Sequence, residues 1–145
     1  MDLNFLVTDT LHSMKHYIKD HNIKLEYIEN EEEIFIKGDY ERLKQVVVNL
    51  VKNSVEALKG NGIIKVSVKK NKKTVSLRII DNGPGMSKEE LNRIGDLFYS
   101  AKEKGCGIGV PISKEIIKLH NGDLKYYSKE GEYTKVAIKI PILIN

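Results

Sequence analysis

Cysteine is almost absent from this chain of 145 residues. The single one, Cys106, excludes an internal disulfide and any metal site built from several cysteines. Long apolar runs are missing too. No stretch reaches the roughly 18 apolar residues that a membrane-spanning helix needs. The first residues, Met1–Phe5, carry no basic segment and no cleavage pattern, so no secretory signal is expected. There is no internal repeat, no low-complexity linker and no GxxxxGK[ST] phosphate loop. Neither sign of charge dominates: 24 Lys and Arg against 20 Asp and Glu give a net charge of +4. So mild a balance does not require nucleic acid as a partner. The lysines are scattered, apart from Lys69, Lys70, Lys72 and Lys73, which read as a hairpin tip. What is present is ordinary for a soluble globular domain, with 41% apolar and 30% charged residues. The expectation is one domain, residues 1–145, whose core needs no staple.

Apolar residues at helical spacing over 3–20, among them Leu6, Leu11, Met14 and Ile18, predict a first helix. Ile23–Ile28 alternates and predicts a strand, and Ile34–Ile36 predicts a second, short one. Asp39 is placed to cap a long helix running to about Leu58, with Gly60 ending it. Ile63–Val68 and Thr74–Ile80 alternate on either side of the lysine turn and predict a hairpin. Ser87 predicts the cap of a short helix, Lys88–Ile94, with Glu90 in the capping-box position. Val110–Leu119 predicts another helix, and Leu124–Tyr127 and Lys135–Ile140 predict the last strands. Helices and paired strands mix without strict alternation. The expected class is α+β: a two-layer sandwich with about three main helices on one face of a mixed, mostly antiparallel sheet.

Three patterns carry chemistry. On the long helix, Leu43, Val46, Val47, Leu50, Val51, Ser54, Ala57 and Leu58 share one arc; Arg42, Gln45, Asn49, Lys52, Asn53 and Glu56 share the opposite one. Asn49 and Asn53 stand one turn apart. They read either as a solvated face or as amide oxygens offered to a hard cation or to phosphate. The run Asp81-Asn82-Gly83-Pro84-Gly85-Met86 follows a strand. It reads as an ordinary turn, or as a carboxylate for an exocyclic amine beside glycines that let a ligand approach bare backbone. Gly105-Cys106-Gly107-Ile108-Gly109 runs into a helix. It reads as a flexible loop, or as free N–H groups and a helix dipole facing a polyphosphate.

Taken in order, RLKQVVVNLVKNSVEALKG, IIDNGPGM, LFYSAKEKGCGIGVPISKEIIKLHNG and YTKVAIKIP resemble the ATP-binding catalytic domain of sensor histidine kinases. That domain belongs to the superfamily of gyrase, heat-shock chaperone and mismatch-repair ATPases, and the resemblance implies its Bergerat-type fold. The likeness runs from about Leu3 to Pro141 and looks most like kinases of the nitrogen-regulation and sporulation type. It implies binding of Mg-ATP and donation of the γ-phosphoryl group to a histidine on a separate dimerisation and phosphoacceptor domain, in two-component phosphorelay signalling. By similarity Asn53 is the Mg²⁺ ligand. Asn49 faces the phosphates, where hydrolysing relatives carry a glutamate base. An amide cannot act as that base, so transfer is implied over hydrolysis. Asp81 matches the aspartate that receives the adenine amino group, with Gly83, Gly85 and Met86 beside the base and Thr134 near it. Phe98 matches the aromatic of a lid at about 87–104. Gly105, Cys106, Gly107, Ile108 and Gly109 match the phosphate loop, and Lys102 matches a lysine expected near the γ-phosphate. Two departures stand out. Cys106 replaces a usual Thr or Ser, and Glu56 stands where many members carry lysine, so phosphate contacts fall to Lys102 or Lys104.

His12, His16 and His21 lack the context of a phosphoacceptor, and His120 reads as a helix cap carrying a cation toward the last carbonyls. The acceptor histidine is therefore expected on a partner. The implied partners are the phosphoacceptor helices of the parent kinase and a response regulator downstream. No nucleic acid and no membrane contact by this domain are expected. The piece itself is expected to be monomeric and cytoplasmic. Two other readings stay open: an ATP-hydrolysing member of the superfamily, and a degenerate module that acts by contact.

Overall fold

Asp2 organises the start of the fold. Its carboxylate accepts the N–H of Asn4 at 3.0 Å, capping a helix, and the N–H of Ile34 at 3.0 Å, tying in a distant segment. In the computed structural model, residues 1–28, 32–94, 96 and 109–143 are described. They form α1 (Leu3–Asp20), β1 (Ile23–Ile28), α2 (Tyr40–Leu58), β2 (Gly62–Lys70), β3 (Thr74–Asp81), α3 (Lys88–Arg93), α4 (Gly109–Leu119), β4 (Asp123–Lys129) and β5 (Tyr133–Pro141).

The strands make one five-stranded sheet in the order β1-β2-β3-β5-β4. Among the described residues only the β1–β2 pair is parallel, and α2 is the crossover that a parallel neighbour requires. The other pairs are antiparallel. Alternation along each strand sends one row of side chains to the helices. Ile64, Val66, Leu77, Ile79, Val136 and Ile138 on the sheet meet Leu6 and Val7 of α1, Val47 and Leu50 of α2 and Ile117 of α4 in one core. Each fully buried branched side chain there stabilises the fold by about 1.5–3 kcal/mol relative to an exposed one.

Local chemistry fixes the ends of the elements. Asp39 accepts the N–H of Arg42 at 3.2 Å and caps α2. That helix ends where Lys59 and then Gly60 take left-handed backbone, with φ of 50° and 89°. At α3, Ser87 and Glu90 form the full reciprocal capping box.

Three expectations need correction. Ile34–Ile36 is not a strand of the sheet. Ile34 and Ile36 are buried as alternation requires, but the backbone pairs with the chain ends: Leu3 N–H donates to Ile34, Ile36 N–H to Met1 and Leu143 N–H to Phe35. Only an isolated bridge, Asp2 to Phe35, results. Next, Asn49 and Asn53 are half-buried at the edge of the core arc of α2, unlike exposed Arg42, Gln45, Lys52 and Glu56. The buried arc takes Val55 where Ala57 was expected. Finally, His120 does not act as a cationic cap. Its Nδ1 lies 2.7 Å from the Ile116 carbonyl, and its Nε2 accepts the Asp39 N–H at 3.0 Å. Nε2 therefore faces a backbone donor and not a helix carbonyl. It links the end of α4 to the cap of α2.

Candidate functional site

Asp81 is the last residue of β3, and its carboxyl group is buried, with the residue 2% exposed. The strand delivers it to the helix side, in register with Thr134 of β5. Its Oδ1 accepts the N–H of Gly83 at 3.0 Å, closing a tight turn around a carboxylate. Ser54 of α2 supplies a second hydrogen bond. Burial pushes the Asp81 carboxyl above its ordinary value, against the opposing pull of the Gly83 N–H and the Ser54 hydroxyl. The result is a fixed, poorly hydrated acceptor, suited to a ligand that brings N–H donors.

The loop after Asp81 is held on both sides. Asn82 accepts the N–H of Ile63 through Oδ1 at 2.8 Å, anchoring the loop to β2. On the other side, Met86 N–H donates to Ser128 Oγ at 2.7 Å, and Gly131 N–H donates to the Pro84 carbonyl at 2.6 Å. Ser128 donates onward to the Tyr133 carbonyl at 2.8 Å and lies 3.1 Å from Thr134 Oγ1. Ser128 thus joins the loop to the β4–β5 hairpin beneath Thr134. Gly85 is required at its position. Its φ is +70°, and a Cβ there would lie 2.2 Å from the Lys129 carbonyl oxygen.

Helix α2 forms the other wall. One helical turn apart, Asn49 and Asn53 point to different partners. Asn49 Nδ2 donates to the Gly109 carbonyl at 3.2 Å and lies 3.5 Å from Ser113 Oγ, both on α4. Asn53 hydrogen-bonds the phenol of Tyr126 on β4. Burial holds that phenol up at about 12; the Asn53 bond opposes the shift and the Asp81 charge adds to it.

The structure therefore brings together Asn49, Asn53, Asp81, Gly83, Gly85, Met86, Gly109 and Thr134 between α2, the loop after β3 and the β4–β5 hairpin. Phe98, Lys102, Gly105, Cys106, Gly107 and Ile108 lie outside the described residues, as do most of the lid positions beyond Ile94. Sequence reasoning missed Ser54, Tyr126, Ser128 and Ser113. Ser54 carried a usable signal: a hydroxyl on an otherwise aliphatic arc, directly after Asn53. Tyr126 and Ser128 carried none beyond facing inward on β4.

An α+β sandwich with a buried carboxylate, an Asx-type glycine turn and two helix amides offers a site for a ligand that brings N–H donors. Comparison narrows this. Residues 38–144 match the family described as histidine kinase-, DNA gyrase B-, and HSP90-like ATPase. The chain belongs to that family, and its relatives place it with the ATPase domains of sensor histidine kinases. Sporulation kinase B of Bacillus subtilis (strain 168) is 38% identical over 141 residues, covering 97% of this chain and 33% of that protein. Sporulation kinase C of the same organism is 40% identical over 107 residues, covering 74% of this chain and 25% of that protein. The chain thus spans about a third or less of these relatives. Among solved structures, the nucleotide-free catalytic domain of histidine kinase ThkA superposes with a TM-score of 0.87 at 28% identity, covering 97% of this chain and 95% of that one. ThkA in complex with response regulator protein TrrA superposes with a TM-score of 0.85 at 26% identity, covering 99% of this chain and 41% of that one.

Proposed function

We propose that this domain binds Mg-ATP and presents the γ-phosphoryl group to a histidine on a separate phosphoacceptor domain of a larger kinase. The observation that carries the reading is Asp81. It is a buried acceptor oriented by Gly83 and Ser54, on the same sheet row as Thr134. An adenine amino group is the kind of donor such a carboxylate receives, and Met86 and Gly85 border the place where the base would lie. The remaining donor set fits a hard cation carried in by phosphate. Among the described residues there is no cluster of three His, Cys, Asp or Glu. An ion here would take the amide oxygen of Asn53 as its protein ligand, which Mg²⁺ tolerates because it keeps waters and phosphates around it.

Bound Mg-ATP supplies the phosphoryl group and the cation that offsets its charge. This chain's residues do the rest by position. Asp81 and Thr134 orient the base end, and Asn53, steadied by Tyr126, marks the phosphate end. Asn49 offers no base to activate water, so hydrolysis is disfavoured over transfer. Phe98, Lys102, Lys104, Gly105, Cys106, Gly107 and Ile108 are proposed for the lid and phosphate loop on the strength of the motif alone. ThkA, a relative solved with its response regulator, supports a similar downstream partner for the parent of this chain.

The test is transfer of label from γ-labelled ATP to a separately supplied phosphoacceptor domain. Label on the acceptor histidine, absent with Asn53→Ala, is expected. Release of free phosphate at the same rate with and without the acceptor would instead favour a hydrolysing enzyme.

A further inference from the structure

We propose that the open face of the sheet, opposite the helices and the nucleotide site, is a docking surface for an anionic lipid membrane. Alternation along the strands sends Val66, Leu77, Leu124 and Val136 into the core, and it sends Lys65, Arg78, Lys125 and Lys135 the other way. Counted along all five strands, that outward face carries eight Lys or Arg and two carboxylates, Glu26 and Asp123. Its excess of six positive charges is larger than the +4 of the entire chain, so the rest of the molecule is net acidic.

The positive charge is offset only at the margins of the face, where Lys129 pairs with Glu132 of the β4–β5 turn at 3.1 Å. Glu26 pairs with Lys24 at 3.6 Å and Lys65 at 3.8 Å, both at the β1–β2 end. Among the described residues no ion pair reaches Arg78, Lys125, Lys135 or Lys139. Register crowds these four. Arg78 and Lys125 flank Ala137 in one row across β3, β5 and β4. Lys135 sits one row away opposite Tyr127, and Lys139 sits one row away on the other side, in register with Asp123 of β4. Like charges on neighbouring strands repel, and a layer of external anion removes that cost.

The shape and chemistry of the face select the anion. Five strands at about 4.8 Å spacing give a surface roughly 19 Å wide. A stable protein partner needs a desolvated apolar or aromatic centre, and lysine is depleted from such centres. Here the central rows hold Ser67, Ser76 and Ala137 among lysines, with Ile80 standing between Lys65 and Lys135 and with Ile28 and Ile63 toward the β1–β2 margin. Lysine is a flexible point charge, suited to a fluid array of phosphates, and it lacks the bidentate geometry of arginine. Tyr127 and Tyr133 stand at one margin, 39% and 37% exposed, the kind of amphipathic ring that settles at headgroup level. Lys125 and Lys135 lie 5.5 Å and 4.5 Å from the Tyr127 ring centre, so ring and charge reach the surface together. This departs from the expectation of no membrane contact by this domain.

The experiment is co-sedimentation of the chain with vesicles of phosphatidylcholine, with and without phosphatidylglycerol. Binding to the anionic vesicles alone is expected, and it should vanish near 1 M salt, where the screening length falls to about 3 Å. The triple variant Arg78→Gln, Lys125→Gln, Lys139→Gln should bind on the order of a hundredfold more weakly, at about fivefold per charge. The matched triple Lys15→Gln, Lys19→Gln, Lys118→Gln, on the helices, should bind far closer to the parent. The proposal is overturned by equal binding to neutral vesicles, by no binding at low salt, or by equal losses in the two triples. Tighter binding to duplex DNA than to anionic vesicles at the same salt assigns the face to nucleic acid and also overturns it.

Discussion

Asn49 donates through Nδ2 to the carbonyl of Gly109, 3.2 Å away, and so fastens α2 to the first residue of α4. A Cβ on Gly109 would lie 3.2 Å from the same amide, so the two residues are also in close packing contact. The amide on which the absence of a catalytic base turns is therefore also a structural tie. Asn49→Ala should cost roughly 1 kcal/mol of stability, the net worth of such a bond. Asn49→Asp should cost more, because a carboxylate would then face a carbonyl. Urea denaturation of the three proteins checks the ranking, and an Asp variant as stable as the parent would contradict it.

Asp81 should be a liability to the fold. Its carboxyl is pushed up by burial, so the folded state binds the proton more tightly than the unfolded state. Stability from this group is therefore greatest in acid and is lost as pH rises through its folded-state value. Asp81→Asn removes that loss while keeping an oxygen to accept the Gly83 N–H. The variant's stability advantage should be smallest near pH 4 and should widen toward pH 7, measured by urea denaturation across that range. A constant difference would contradict the burial account.

Tyr126 behaves in the same sense at alkaline pH. Its phenol is held at about 12, above its ordinary value of 10.0, so the folded protein loses stability as pH rises from about 10 to about 12. Tyr126→Phe should be less stable at neutral pH by about 1 kcal/mol, through the lost bond to Asn53. It should also fall less steeply over the alkaline range. Tyr40, also held at about 12 by its hydrogen bond to Asp9, remains in both proteins as the internal reference.

Gly85 and Gly131 separate backbone conformation from crowding. Both have positive φ, +70° and +81°. Nothing lies within 4 Å of a Cβ on Gly131, whereas one on Gly85 would strike the Lys129 backbone. Gly131→Ala should cost about 1 kcal/mol, the left-handed penalty alone. Gly85→Ala should cost roughly 2–4 kcal/mol and weaken nucleotide binding as the loop shifts away from Ser128. Thermal unfolding of the pair provides the comparison, and equal losses would remove the crowding term.

The sequence was most legible where local rules act alone. The boundaries of α1, the cap of α2 at Asp39 and the Ser87–Glu90 box follow from spacing and capping chemistry and lie within a residue or two of expectation. Asp81, Gly83 and Gly85 were legible as a motif, and the structure adds why each is fixed. Ile34–Ile36 misled because alternation reports which side chains are buried and says nothing about the backbone partner, here the two chain ends. Asn49 and Asn53 were placed on the arc opposite the apolar one because a helical wheel has no knowledge of α4 and β4, which cover its edge. His120 does meet the Ile116 carbonyl at the end of α4, but nothing local announced that Asp39, 81 residues away, would supply a donor to its Nε2. Ser54 and Tyr126 escaped notice for the same reason: their partners come from distant elements.

The most direct measurement is a calorimetric titration of this chain with a non-hydrolysable ATP analogue, with and without Mg²⁺, beside Asp81→Asn. The account predicts Mg²⁺-strengthened binding by the parent, weakened at least tenfold, or about 1.4 kcal/mol, in a variant that remains fully folded. Equal affinity in the two proteins, or no binding by the parent, would contradict it.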